Sequence, residues 1–482
     1  MVDVRPIAYV LGWILMVLAG LMLLPAFVDW NAGNGNADDI LQAALVTAGV
    51  GVLLALSSAN ATRGAFDVRS AYLLTAAIWF VVPAFGALPF MLGAPRLQFT
   101  EAYFEAVSGI TTTGATVIYG LEELPAGMNL WRGLLNAAGG LGIAFVAMIF
   151  LPVMRVGGMQ FFRTEGFDTF GKVLPRATDL AKQLLGVYLG LIVIAGLTYS
   201  AIGMTPLDAA VHAMASIATG GFSPRDTSFS VYAGAGEYFG ALFMVLGSLP
   251  YVRYVQLVNG SATPLWRDSQ VRAYLKIIAF SVLTVTLWRW LTSDMPFEPA
   301  FRESLFNLVS IISSTGFFSG SFPAWGGYML VVAFVIGVIG ACSGSSAAGL
   351  TVFRSQLVAA ALVSQIRQIV SPGRVVPVKY EGRVVEKDVM DALILYVTGY
   401  VLTLGVLTVA MTLVGLDTVS ALFAVWTALG NIGYGFGPIV ARTGTFVDLP
   451  DAGKWIMTLA MLLGRLGLLA IFVLVLPRFW RR

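Results

Sequence analysis

Apolar residues fill this chain in runs long enough to cross a bilayer, with amphipathic segments of about half that length set between them. Runs near 7–28, 40–59, 70–93, 131–154, 183–204, 237–258, 271–292, 388–415 and 454–477, with a double-length tract at 327–370, predict ten membrane spans. The shorter segments repeat. Around Gly114, Gly221, Gly316 and Gly433 the chain reads SGITTTGATV, SIATGGFSPR, IISSTGFFSG and LGNIGYGFGP. Phe104, Val211, Phe306 and Phe423 stand ten residues before these glycines, and Val107, Met214, Val309 and Trp426 stand seven before. Ile110, Ile217, Ile312 and Leu429 stand four before, which completes one apolar stripe on a short helix. Thirteen before are Glu101, Asp208, Glu303 and Ser420, read here as the oxygen side chains that open each helix.

Four copies at this spacing predict an all-α integral membrane fold of helix, half-membrane helix and helix, repeated around one pore. The boundaries follow: an N-terminal transmembrane hairpin at 1–66, then pore repeats at 67–160, 161–262, 263–375 and 376–482. Glycine takes positive φ at little cost, so successive carbonyls can face a common axis. A helix ending at such a loop turns the negative end of its dipole toward it, which favours a cation. Four loops of this kind would form rings of oxygens able to replace an ion's hydration shell. The expected filter residues are Thr112, Thr113 and Gly114; Thr219, Gly220 and Gly221; Ser314, Thr315 and Gly316; and Asn431, Ile432 and Gly433.

Composition agrees with a membrane protein: 58% of residues are hydrophobic and 11% charged, against about a quarter charged in a soluble domain. With an inward N-terminus, 21 of the 29 lysines and arginines collect on one side, including Arg5, Arg176, Arg374 and Arg482. The positive-inside rule then puts both termini in the cytoplasm and the filter loops outside. Acidic residues gather on the outer side, among them Glu122, Asp226, Glu237, Asp448 and Asp451, where they would steer cations inward. The single cysteine, Cys342, excludes an intrachain disulfide, and the lone His212 is read as a local packing residue. No cleavable signal is expected.

Two features point below the filter. The middle of the double-length tract, GACSGSSAAGLT at 340–351, is poor helix material, so an irregular stretch between two helices is expected there. Arg465, midway along the last span, needs a polar partner at membrane depth, and the 342–351 loop offers carbonyls and hydroxyls.

The half-membrane helices with TTTGAT, ATGGFS, SSTGFF and GNIGYG resemble the pore segments of the TrkH/KtrB potassium-transporter superfamily. The extra hairpin and the basic segment FFRTEGFDTFGKVLPRATDLAK point to its TrkH branch. The resemblance implies potassium uptake, with K+ bound at backbone carbonyls and no organic cofactor. It implies a homodimer in a bacterial inner membrane, with a pore in each protomer and a cytosolic TrkA-like nucleotide-binding regulator. It implies that the loop gates the pore, with Cys342, Ser343, Gly344, Ser345, Ser346 and Arg465 as gate residues. Glycine at all four filter positions implies potassium over sodium, since sodium-selective relatives commonly carry serine at the first. Departures stand at Gly467, where the family has glutamate, at Thr351, where lysine is common, and in the fourth loop, IGYGFGP rather than IGPG.

An enzyme is disfavoured: CSGSS has no histidine beside it, and no nucleotide fingerprint or nucleic-acid motif appears. Flux coupled to sodium or protons is the alternative to a passive pore. Against an inverted-repeat transporter, all four repeats run in one orientation and only one long helix is expected to be interrupted.

Overall fold

The computed structural model describes residues 4–60, 68–145, 177–373, 376–467, 472–474 and 476–480. Helices α1 (Arg5–Asn31) and α2 (Asn36–Ser57) form an antiparallel hairpin. Their axes approach at Gly12 and Gly51, where a Cβ would meet the other helix's carbonyl at 2.6 and 2.8 Å. The first repeat follows as α3 (Val68–Gly86), α4 (Leu88–Leu92), the short α5 (Phe99–Ile110) and α6 (Ala126–Phe145). The second has α7 (Ala177–Ala201), the short α8 (Pro206–Ile217), α9 (Ala235–Gly247) and α10 (Tyr251–Val258), then α11 (Thr263–Arg267). The third has α12 (Ser269–Thr292), the short α13 (Phe297–Ile312), α14 (Gly327–Ile339) and α15 (Val352–Val370). A small antiparallel hairpin, β1 (Lys379–Tyr380) with β2 (Arg383–Val384), leads to the fourth. That repeat has α16 (Lys387–Leu413), the short α17 (Thr418–Leu429), α18 (Pro438–Ala441) and α19 (Asp451–Leu466), before the terminal turn α20 (Pro477–Trp480).

All twelve stripe positions of the short helices are buried. The core has two main lobes, one joining the N-terminal hairpin with repeats one and four, the other joining repeats two and three. Residues of the glycine loops enter both: Ala115 and Val117 the first lobe, Phe317 and Ile432 the second.

Three sequence expectations change. Among the described residues six helices are long and apolar enough to cross a membrane, and the pair α9–α10 makes a seventh if its two arms count as one span. Ten spans are therefore not all met as continuous helices. The expected span 237–258 bends by 90° between Gly247 and Tyr251, so the 327–370 tract is not the only broken one. Pro250 has no N–H to continue a helix, and it pushes Leu249 out of the helical region. The basic segment after Phe161 lies largely outside the described residues, as does the part of the 131–154 run beyond Phe145. Finally, Glu101, Asp208, Glu303 and Ser420 are not the caps. The caps are Gln98, Thr205, Pro296 and Asp417, and only Thr205 and Asp417 use their side chains.

Candidate ion-conducting site

Each short helix ends at its glycine loop in the same closure. The residue before the glycine donates its N–H five residues back: Thr113 to Ser108 at 2.8 Å, Gly220 to Ala215 at 2.7 Å, Thr315 to Ser310 at 2.9 Å and Ile432 to Thr427 at 2.8 Å. The residue before that donates three back, from Thr112, Thr219, Ser314 and Asn431, at 3.0 to 3.2 Å. This is the Schellman pairing, which satisfies the last carbonyls of a helix and demands a left-handed residue. Here that residue is Thr112, Thr219, Ser314 or Asn431, at φ of 50°, 50°, 57° and 48°. Glycine would adopt this conformation freely. A branched threonine there costs about 1–3 kcal/mol, and what the strain retains is a polar side chain beneath each loop.

The glycines themselves sit at φ of 81°, 73°, 82° and 100°. A Cβ on Gly114 would strike the carbonyl oxygen of Gly220, and one on Gly221 that of Thr315. A Cβ on Gly316 would strike the carbonyl of Ile432, and one on Gly433 that of Thr113. The order one, two, three, four, one closes a ring. The four loops therefore surround a single axis, with the C-terminal ends of four helices directed at it. That geometry favours a cation.

The residues thirteen before the glycines tether the outer chain instead of capping. Asp208 accepts from Arg225 at 2.8 Å and from Tyr232, and Glu303 accepts from the Ser321 hydroxyl at 2.8 Å and from Arg289 at 2.6 Å. The Ser420 hydroxyl accepts from Ile439 N–H at 3.1 Å, while Glu101 takes Lys454 of the fourth repeat at 2.8 Å. Glu237, one of the acids expected to steer cations, is instead buried against Arg302, and Arg132 is likewise buried against Glu105.

Below the ring, residues 340–351 form an irregular stretch between α14 and α15 that touches all four repeats. Arg465 donates to the Ser346 carbonyl at 2.5 Å and to the Thr112 hydroxyl of the first glycine loop. The Ala348 N–H donates to Ser314 Oγ at 3.3 Å. From the second repeat, Tyr251 binds Ser346 Oγ at 2.9 Å, and its own N–H donates to the Gly344 carbonyl at 3.0 Å. Ser343 N–H donates to Gln270 at 2.9 Å, and its hydroxyl to Thr351 at 2.7 Å. Ser345 Oγ closes on the Cys342 carbonyl at 2.7 Å, and Cys342 itself is buried. Tyr251 and Gln270 were not singled out from sequence; neither belongs to a repeated pattern. Two of the departures carry backbone roles: Thr351 stands at φ 74°, and Gly467 ends α19 at φ 77°.

A predominantly helical, multi-pass membrane scaffold with four short-helix and loop units around one axis is the class that this fold and site define. The chain belongs to the TrkH family, the cation transport proteins, which it matches over residues 39–482. It is 39% identical over 413 residues to the Trk system potassium uptake protein TrkI of Halomonas elongata, covering 85% of this chain and 84% of that one. It is 34% identical to TrkH of the same organism over the whole of both chains. The crystal structure of the potassium transporter TrkH from Vibrio parahaemolyticus superposes with a TM-score of 0.91 at 30% identity, covering 100% of each chain.

Proposed function

We propose that this protein takes up potassium across a bacterial inner membrane, through a channel-like pore whose filter is the four-glycine ring. The cyclic contact of each filter glycine with the next loop's carbonyl carries the reading. The carbonyls of Thr113, Gly220, Thr315 and Ile432 then strip water from K+, with the strained residues Thr112, Thr219, Ser314 and Asn431 below them. Residues 342–346 and Arg465 form the gate: the loop lies under the ring and is fastened to all four repeats. The unit boundaries are those of the sequence reading, with both termini cytoplasmic. The protein works as a homodimer, under a cytosolic TrkA-like nucleotide-binding regulator, and is not an enzyme.

Arg465→Ala tests the gate. Its bond to the Ser346 carbonyl is charge-assisted and half-buried, a class worth about 1.5–3 kcal/mol, so basal flux should rise roughly tenfold or more with selectivity kept. Rubidium uptake into liposomes by monodisperse protein is the measurement. Flux equal to wild type removes Arg465 from the closed state.

A second reading, uptake coupled to sodium or protons, gains from the break at α9–α10, since interrupted helices are common in coupled transporters. Potassium flux that follows an imposed sodium or pH gradient would select it.

A further inference from the structure

One register position of the short helices is polar in three of the four copies. Nine residues before the filter glycines stand Glu105, His212, Asn307 and Ala424. The first three are polar side chains in otherwise apolar stripes, and all three are fully buried. Each grips the chain two or three residues beyond its glycine. Glu105 accepts from Thr116 Oγ1 at 2.9 Å and from Val117 N–H at 3.1 Å. Asn307 clamps Ser319 twice, accepting from its N–H and donating to its carbonyl, both at 3.0 Å. His212 Nδ1 lies 2.8 Å from the Asp208 carbonyl, which can only accept, so that nitrogen carries the proton. Its Nε2 then accepts from Ser223 Oγ at 3.0 Å, and Ser223 Oγ in turn accepts from Arg225 N–H. In the fourth repeat Ala424 reaches nothing polar; Tyr434 and Phe436 pack there among Phe318, Phe322 and Phe423.

We infer that Glu105, His212 and Asn307 are positioning residues for ion selectivity, bracing three walls of the filter from behind, while in the fourth wall this register position is Ala424 and aromatic side chains pack there instead. This rests on the reading of the glycine ring as a filter. Its physical basis is that a helix fixed in the core, bonded to the strand leaving the loop, sets the distance between facing carbonyls. Without the brace the loop widens while the helix stays.

Asn307→Ala is the primary test because it removes a neutral clamp and leaves no buried charge. Glu105→Ala would leave the buried Arg132 charge without its carboxylate, and it is compared with Glu105→Gln, which keeps acceptors for Thr116 and Val117. Rubidium uptake competed by sodium, in liposomes, is read beside thermal stability in detergent. Asn307→Ala should lower potassium-over-sodium discrimination about threefold to tenfold, the factor set by one or two ordinary hydrogen bonds. Glu105→Gln should retain more discrimination than Glu105→Ala. Ala424→Gly disturbs the same register without a brace, and should cost stability with selectivity unchanged. Gly114→Ser is run alongside. If it leaves selectivity intact, the filter reading fails and this inference with it. If Gly114→Ser alters selectivity but Asn307→Ala destabilises the protein at wild-type discrimination, the brace is structural only and the inference alone is overturned.

Discussion

The first and third glycine loops are held differently from the second and fourth, although all four share one backbone closure. In the odd repeats a hydroxyl pair locks the loop: Thr111 with Thr113, and Ser313 with Thr315, each at 2.7 Å. The even repeats have Ala218 with Gly220 and Gly430 with Ile432 at those places, so no such pair can form. They borrow support from neighbours. Asn431 reaches across to Thr113 Oγ1 at 2.8 Å, and Gly220 leaves room only for Asn136, 2.5 Å from where its Cβ would stand. At the other helix end the pattern reverses: only the even helices have side-chain caps, Thr205 and Asp417. The loop geometry is thus specified by the backbone closure, while the means of holding it is free to differ between the odd and the even repeats.

The largest effect should come from Gly221→Ala. Its Cβ would enter the Thr315 carbonyl, so uptake should fall at least about a hundredfold, measured as rescue of potassium-limited growth and as liposome flux. Gly120→Ala makes the control. Gly120 has φ 79°, but the nearest atom to its Cβ would be 3.8 Å away, so only the backbone cost of about 1 kcal/mol remains and flux should persist. If both variants behave alike, positive φ and not the interloop contact is what matters.

Next in size, Gly114→Ser should admit sodium, read as sodium competition against rubidium. A smaller loss of discrimination is expected from Thr113→Val than from the gate-independent clash of Gly114→Ser, but a larger one than from Thr315→Val. Both threonines lose a hydroxyl pair worth about 0.5–1.5 kcal/mol, and only Thr113 also receives Asn431. Equal effects would mean that the odd and even loops do not lean on each other.

The smallest effect concerns a cap. The Ser420 hydrogen bond holds the Asp417 carboxyl below the usual carboxylate range. A depressed value means that the cap is fully formed above the ordinary pKa and is lost only as pH falls through the lowered one. Flux should therefore be flat from pH 5 to 8 as far as this group decides it. Asp417→Ala should cost about 1 kcal/mol of stability, seen as a small drop in melting temperature with selectivity kept.

The sequence by itself determined the repeat, the apolar stripe of each short helix, the glycine ring and the irregular stretch at 340–351. These are legible because periodicity and glycine content act locally, through helix geometry and the allowed values of φ. It also exposed Arg465 as a charge that needs a partner. It misassigned Glu101, Asp208, Glu303 and Ser420 as caps, because a carboxylate early in a helix looks the same whether it bonds its own turn or a returning chain. It placed Glu237 among the outer acids, since a sequence shows only that a residue follows a loop, whereas the structure buries it against Arg302. Which carbonyl meets which glycine, that Arg465 touches Thr112 as well as Ser346, and that Tyr251 and Gln270 fasten the loop were decided by tertiary structure alone. Those contacts join residues 73 to 353 positions apart, and no local preference encodes a distance of that kind; it is fixed only when four helices, each buried for its own stripe, close around one axis.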